Sequence, residues 1–266
     1  MGGGGGNADA MRWAWRLGRL AGIDLYVHAT FLLLVAWVVF REYPYGIAAI
    51  ASSLVYIVAL FAIVVLHELG HALTARRYGV ATRDIVLLPI GGVARLERMP
   101  RDPRQELLVA LAGPAVNVAI AIVLYGLLRL TGATPSADLY TVDLLSSTRA
   151  FVYQLVLVNI MLAVFNLLPA FPMDGGRVLR ALLAMRMRSY ARATTIAAWV
   201  GRAFAVALGV VGMYAFQNPF WVLIGIFVWM GAGSEAAAVR ASSPPPDAPA
   251  DVPSQPDAHA TVPPDS

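Results

Sequence analysis

The sequence predicts an all-α membrane protein with about six transmembrane helices and a short β-hairpin or re-entrant loop between the second and the third. Hydrophobic residues make up 59% of the 266 positions and charged residues only 14%, against about 25% in soluble proteins. The mean hydropathy is +0.67. Polar side chains cannot cover so much apolar surface in water, and we therefore expect the chain to lie in a lipid bilayer.

Six apolar stretches approach the roughly 20 residues that a helix needs to cross about 30 Å of hydrocarbon. We predict spans over residues 25–40, 47–71, 107–128, 151–168, 193–216 and 219–232. These divide the chain into an N-terminal segment (1–24), a membrane domain (25–239, with its core at about 47–187) and a Pro-, Ala- and Asp-rich tail (240–266). The tail has little apolar content and cannot form a packed core, so we expect it to be disordered.

The second predicted span ends in the pentad His67-Glu68-Leu69-Gly70-His71. Residues four apart share a helix face, so His67 and His71 can present imidazole nitrogens to one metal ion, with Glu68 beside it as a general base. This is the arrangement of a zinc metalloprotease. With four histidines in the chain, the expected number of chance matches is only about one in a thousand.

The alternative reading of the pentad is a set of side chains hydrogen-bonded to one another inside a helical bundle. It places three ionisable groups where each costs roughly 3 kcal/mol on insertion scales, and such groups in a membrane usually mark a functional site. The sequence therefore favours a metal site. Because the chain has no cysteine, imidazole and carboxylate groups are its strong zinc ligands.

Residues 84–98, between the second and third spans, form two short apolar runs around Gly91 and Gly92. Pro89 argues against a long regular strand, so a hairpin or a re-entrant loop is predicted. Irregular backbone at membrane depth is tolerated where it lines a cavity, and a catalytic cavity is the expected one. Gly91 and Gly92 are then candidates for positioning a substrate that adds as a strand. An ordinary cytoplasmic turn is the alternative.

The third span begins with small residues at positions 111–117 and carries an isolated amide, Asn117. Small residues permit close helix contact. Asn117 either hydrogen-bonds a neighbouring helix or holds a substrate carbonyl, and the sequence leaves both roles open.

A third protein ligand is expected, because catalytic zinc usually has three and keeps one position open. Asp174 follows the fourth span and so shares a membrane side with the pentad. Pro169 and Pro172 interrupt helical hydrogen bonding, and the following Gly175-Gly176 frees the backbone to turn Asp174 toward the metal. Alternatively Asp174 caps the helix that begins near residue 175, and both roles are compatible.

The twenty basic residues are all arginine, and their distribution predicts the orientation. Fifteen lie in the N-terminal segment and in the loops after the second and fourth spans, against three in the opposite connections. Both termini and the opening of the site are therefore expected to be cytoplasmic, in a bacterial inner membrane. The net charge of +4 reflects this topology, and no nucleic-acid partner is expected.

Two separated motifs together resemble the site-2 protease family of intramembrane zinc metalloproteases. The family pairs H-E-x-x-H with a later N-x-x-P-x-x-x-x-D-G motif, which residues 67–71 and the run from Asn166 to Gly175 match. The element Gly113-Pro114-x-x-Asn117 is similar to the family's central helix. The resemblance covers about residues 27–187.

The resemblance implies that His67, His71 and Asp174 bind one zinc ion per chain and that Glu68 is the general base. Asn117 and Asn166 are implied to position the substrate or helix ends. The implied substrates are single-span membrane proteins, such as anti-sigma factors or signal-peptide remnants. Many relatives carry a PDZ or a cystathionine-β-synthase-type domain, for which this chain has no room, so a minimal form is expected.

Two other functions use the same residues. A zinc transporter or sensor needs further ionisable groups deep in other spans. The last two predicted spans contain only one charged residue, Arg202, and a cation is unsuited to line a path for Zn²⁺. A catalytically silent scaffold that binds membrane proteins is the second alternative. The presence of Glu68 disfavours it.

Overall fold

The fold was analysed in a computed structural model of the chain, which describes residues 13–98, 100, 102–130, 148–187 and 189–242. Residues 1–12 of the N-terminal segment and residues 243–266 of the predicted tail therefore lie outside the described residues. The described part of the chain contains seven α-helices and four β-strands. The helices are α1 (Phe31–Glu42), α2 (Ile47–Arg77), α3 (Pro103–Leu130), α4 (Thr148–Asn166), α5 (Asp174–Met187), α6 (Tyr190–Phe216) and α7 (Phe220–Ser242).

Four of these helices, α2, α3, α4 and α6, are long and apolar enough to cross a membrane. From Ile47 to His67, α2 rises about 30 Å, which is close to one hydrocarbon thickness. Large apolar side chains remain exposed on their outer faces, for example Val58 at 70% and Ile122 at 66%, as expected of surfaces that face lipid. The mostly helical prediction is confirmed, whereas α1, with 12 residues, and the apolar part of α7 are shorter than a full span.

The predicted hairpin is part of a larger element, because the described residues form a four-stranded sheet in the order β1-β2-β3-β4. The strands are β1 (Ala14–Leu20), β2 (Ile23–His28), β3 (Thr82–Leu88) and β4 (Gly91–Leu96). The first predicted span therefore begins with strand β2, and its helix starts only at Phe31. A tight turn with positive φ at Ala21 and Gly22 joins β1 to β2, as in two-residue hairpins.

Strands β3 and β4 are antiparallel and form a hairpin, as one of the two predictions for residues 84–98 stated. Strand β3 ends at Leu88, directly before Pro89, as the proline predicted. Strands β2 and β3 pair in parallel, and the crossover between them contains α1 and α2. Within the described residues β4 has no strand on its outer side, so it is an edge of the sheet.

Apolar side chains fix the sheet to the first two helices. Ile85 and Leu87 of β3 pack with Val38 of α1 and Phe61 of α2, and the ring of Phe61 meets Phe31 edge-on with centroids 4.7 Å apart. Helix α2 also packs against α3, and α3 in turn packs against α4 and α5. This arrangement brings the pentad on α2, the hairpin and the start of α5 to one place.

Candidate metal centre

His67 and His71 lie one helical turn apart on α2 and are both buried, with 6% and 4% of their surface exposed. Their Nε2 atoms are 3.1 Å apart. Asp174 is the first residue of α5, and its Oδ2 atom lies 3.1 Å from His71 Nε2 and 3.2 Å from His67 Nε2. The structure thus brings the three predicted ligands together although Asp174 is more than 100 positions away from the histidines in the chain.

The three side chains fit one zinc ion. At Zn–N and Zn–O bond lengths of about 2.0–2.1 Å, tetrahedral ligand atoms stand about 3.3 Å apart, close to the separations found here. His71 Nδ1 donates to the carbonyl oxygen of Val109 at 2.7 Å, which leaves the Nε2 lone pair for a metal. The Nδ1 atom of His67 is buried and has no hydrogen-bond partner among the described residues, so no contact there fixes its tautomer. The lone pair of His71 Nε2 and a carboxylate oxygen 3.1 Å away repel one another unless a cation lies between them.

The Asp174 carboxylate is suited to this role because it is ionised. Burial acts to raise its pKa, but the neighbouring imidazoles of His67 and His71 and the charge of Arg177 hold that pKa well below its usual range. A deprotonated carboxylate is the form that binds a metal.

Two glycines place the start of α5 against the loop that precedes it. A Cβ atom on Gly175 would lie 2.2 Å from the carbonyl oxygen of Leu168, and one on Gly176 would lie 2.7 Å from the backbone nitrogen of Phe171. The sequence predicted that this glycine pair frees the backbone to turn, whereas the structure shows that the pair allows close contact between two backbone segments. Both residues are helical, and they are needed because the two backbones touch.

Glu68 lines a cavity of about 340 Å³ together with the three candidate ligands. Its Oε2 atom accepts a hydrogen bond of 3.0 Å from the backbone N–H of Ala94 in β4. Sequence reasoning missed Ala94, because a main-chain donor leaves no signal in the residue type. The hairpin therefore holds the candidate general base as well as bordering the cavity.

The structure places the four residues predicted to position the substrate in two different surroundings. Gly91, Gly92 and Asn166 line the same cavity as Glu68. The amide nitrogen of Asn166 donates to the carbonyl of Leu162, which leaves its oxygen for other partners. Asn117 is fully buried in α3 away from the cavity lining, and neither of its amide atoms has a hydrogen-bond partner among the described residues.

Gly113 is the point at which α3 meets the metal centre. A Cβ atom at this position would lie 2.2 Å from His71 Nε2 and 2.7 Å from His67 Nε2. The small residues at the start of the third span therefore allow the close helix contact that the sequence predicted, and they allow it at the two histidines.

A buried ionic cluster, which the sequence did not reveal, joins α5 to its neighbours. Arg180 of α5 is 1% exposed and donates to Glu106 of α3 at 2.7 Å and to Glu235 of α7 at 3.0 Å. Its guanidinium also lies 5.1 Å from the ring centroids of Phe171 and Tyr190. Burial acts to lower the pKa of Arg180, but these carboxylates raise it above its usual value, so the group stays charged. The sequence offered one signal for this cluster: Glu106 is the acidic residue in the first turn of an otherwise apolar helix.

Comparisons with known proteins agree with this centre. The sequence pattern of peptidase family M50 matches residues 55–142 and 138–208. A zinc metalloprotease of Methanocaldococcus jannaschii is 36% identical over 233 residues, which are 86% of this chain and 62% of that protein. Stage IV sporulation protein FB of Bacillus subtilis is 26% identical over 63% of this chain and 54% of its own length.

A solved structure is similar as well. The site-2 protease from Methanocaldococcus jannaschii shares 36% identity and a TM-score of 0.59 over 84% of this chain and 95% of that one. The chain spans about three fifths of the length of the first curated relatives that it matches. These matches confirm the resemblance that the two separated motifs predicted: the chain is an integral membrane protein and belongs to peptidase family M50, the site-2 protease family.

Proposed function

We propose that the chain is an intramembrane zinc metalloprotease that hydrolyses peptide bonds within or near the transmembrane helices of single-span proteins. The observation that carries this proposal is the set of His67, His71 and Asp174 ligand atoms, all within 3.1–3.2 Å of one another, with Glu68 in the same cavity. His67 and His71 lie on α2, one of the four helices that are long and apolar enough to cross a bilayer.

In this proposal His67, His71 and Asp174 hold the zinc ion. When bound, zinc lowers the pKa of a water molecule and polarises the scissile carbonyl. Glu68 accepts a proton from the attacking water and later gives it to the leaving amine. The N–H of Ala94 holds the Glu68 carboxylate in place at 3.0 Å. Water reaches this site through the polar side of the cavity, since hydrocarbon cannot supply it.

Replacing Glu68 by glutamine tests the proposal. The variant keeps the shape of the side chain and the three ligands but cannot accept a proton, so we expect about one zinc ion per chain and a 10²- to 10⁴-fold loss of cleavage. The measurement pairs zinc analysis with cleavage of tagged single-span helices by the detergent-purified protein. Zinc in both proteins with no cleavage by wild type would favour a transporter, a sensor or a silent scaffold.

We further propose that the substrate unwinds and lies along the outer edge of β4. This edge borders the catalytic cavity, and one of its N–H groups already bonds Glu68. A peptide that adds to a sheet edge exposes its own carbonyls in a fixed register, which a helical substrate cannot do. The edge strand thus supports both the substrate and the base.

Gly92 provides the test of this arrangement. A Cβ atom there would lie 2.9 Å from Glu68 Cγ and 2.8 Å from Val64 Cγ1, so Gly92→Ala must push the base or the strand aside. We expect a fall in kcat of about 10- to 100-fold with the zinc content unchanged. Gly209→Ala is the control, because its methyl group meets Val222 at an ordinary 3.8 Å. An unchanged kcat in Gly92→Ala would remove β4 from the mechanism.

The remaining parts of the proposal concern topology and substrate. We propose that α1 and α7 complete six spans, that the termini and the opening of the site are cytoplasmic in a bacterial inner membrane, and that the membrane domain is residues 25–239. The arginine distribution supports this orientation. Anti-sigma factors or signal-peptide remnants are the proposed substrates, and the similarity to a sporulation protein supports a regulatory role. Labelling of single cysteines introduced into this cysteine-free chain distinguishes the two orientations.

A further inference from the structure

A second cavity, of about 410 Å³, adjoins the catalytic one. We call it the arginine cavity. Its lining consists of Arg83, Arg95, Arg98 and Arg177, together with Ala94, Leu96 and Glu97. Ala94 and Arg177 line both cavities, so the two are adjacent at β4.

The positive charge of the arginine cavity is only partly compensated. Asp84 forms a double hydrogen bond with Arg95, at 2.6 and 2.5 Å, which raises the pKa of Arg95. The carboxylate of Glu235 lies 3.9 Å from Arg177. Within the described residues Arg83 and Arg98 form no ion pair, and Glu97 is the one carboxylate in the lining.

Local backbone geometry adds to this concentration of charge. The pairing of β3 with β4 shifts register between Thr82 and Asp84, so that Arg83 is the extra residue of a β-bulge. Bulges re-aim a side chain, and they are frequent next to active sites. Here the bulge places Arg83 in the same cavity as Arg98. From Ala94, where Glu68 is bonded, a strand reaches Arg98 in about 13 Å, at roughly 3.3 Å per residue.

We propose that the arginine cavity binds acidic side chains of the substrate, two to five residues from the scissile bond. The inference rests on the proposed function and deepens it by naming a substrate class: helices flanked on one side of the cleavage site by glutamate or aspartate. A peptide along β4 with its scissile bond at Glu68 runs directly into this cavity. An anionic lipid headgroup offers the same charge but has no reason to follow the strand edge to the catalytic centre.

The experiment uses the full-length zinc-loaded protein and one tagged single-span helix. Versions of this helix carry three glutamates, three glutamines or three lysines within two to five residues of the cleavage site. Each set is placed on one side of the site in one version and on the other side in another. We expect glutamate on one side to raise kcat/KM about tenfold over lysine through KM, and 0.5 M salt to reduce the difference. Equal kcat/KM for the three helices would overturn the proposal.

Variants connect the preference to the cavity. Arg83→Glu and Arg98→Glu should reverse it, so that the lysine helix becomes the better substrate. Arg104→Glu, the same charge change at an exposed position on the first turn of α3 outside the cavity lining, should keep the wild-type preference. A preference that persists in Arg98→Glu, or rates that follow the anionic lipid content of vesicles regardless of substrate charge, would contradict the assignment.

Binding separates this inference from the proposed function. Fluorescence anisotropy gives the Kd of the glutamate and lysine helices for the Glu68→Gln protein, in which no cleavage is needed. Tighter binding of the glutamate helix supports the arginine cavity even if wild type cleaves nothing. The absence of cleavage would then count only against the proposed protease activity. Cleavage of the glutamine helix with equal Kd values would count against the arginine cavity alone.

Discussion

Gly113→Ala is expected to reduce bound zinc from about one ion per chain to background and to abolish cleavage. The added methyl carbon would lie 2.2 Å from His71 Nε2 and 2.7 Å from His67 Nε2, well inside contact distance of both ligand atoms. Either the histidines move apart or α3 moves away from α2, and in both cases the three ligand atoms no longer converge. Zinc analysis of the purified variant measures the effect directly.

The same helix offers a matched control. Gly126 also lies in α3, but a Cβ atom there meets no atom within 4 Å. Alanine favours a helix over glycine by about 1 kcal/mol, so both substitutions should strengthen α3 itself. A stable, folded Gly113→Ala protein without zinc, beside a Gly126→Ala protein with full zinc, assigns the loss to the metal centre. Near-stoichiometric zinc in Gly113→Ala would contradict the ligand arrangement.

Arg180→Ala is expected to lower the stability of the protein by about 3–5 kcal/mol, because it leaves Glu106 buried at 0% exposure without its cation. Zinc binding should weaken as well. Arg180 fixes α5 to α3, and the first residue of α5 is Asp174, the proposed third ligand. Thermal unfolding in detergent and the zinc affinity are the two measurements.

Two controls distinguish the ionic cluster from a general effect of truncating α5. Arg186→Ala removes an exposed arginine from the same helix and should change stability by less than about 0.5 kcal/mol. Removing the fully buried pair, in Arg180→Leu with Glu106→Leu, should recover much of the loss, because no fully buried charge is left unpaired. Glu235, the other partner of Arg180, is 26% exposed and keeps Arg177 at 3.9 Å. Equal stability of the Arg180→Ala and Arg186→Ala proteins would show that the cluster contributes nothing.

Local patterns in the sequence predicted the parts of this protein that depend on neighbouring residues. The spacing of His67 and His71 follows from helix periodicity, and apolar length predicted the four long helices. Asp174 required more, since its approach to the histidines follows from topology and from a family motif. Its separation from the pentad hides it from any local pattern.

What the sequence could not predict depends on contacts between distant segments. The apolar residues of strand β2 run into those of α1, so hydropathy alone predicts one apolar span where the structure has a strand and a helix. The partner of β2, strand β3, begins more than 50 residues later in the chain. The bond from Ala94 to Glu68 comes from the main chain, and the ion pair of Arg180 with Glu106 spans 74 positions. Gly175 was recognised, but its reason, contact with the carbonyl of Leu168, appears only in three dimensions.

The parallel pairing of β2 with β3 connects α1, whose Leu33 and Phe40 side chains are exposed, with the hairpin that borders the candidate metal centre. Strand β2 leads directly into α1, while β3 continues through the hairpin into β4, which holds Glu68. Leu25 of β2 pairs with Ile85 of β3, which pairs with Ala94 of β4, so we expect a sideways displacement of α1 to shift the Ala94 N–H as well. The position of the first helix and the orientation of Glu68, the proposed base, should then change together.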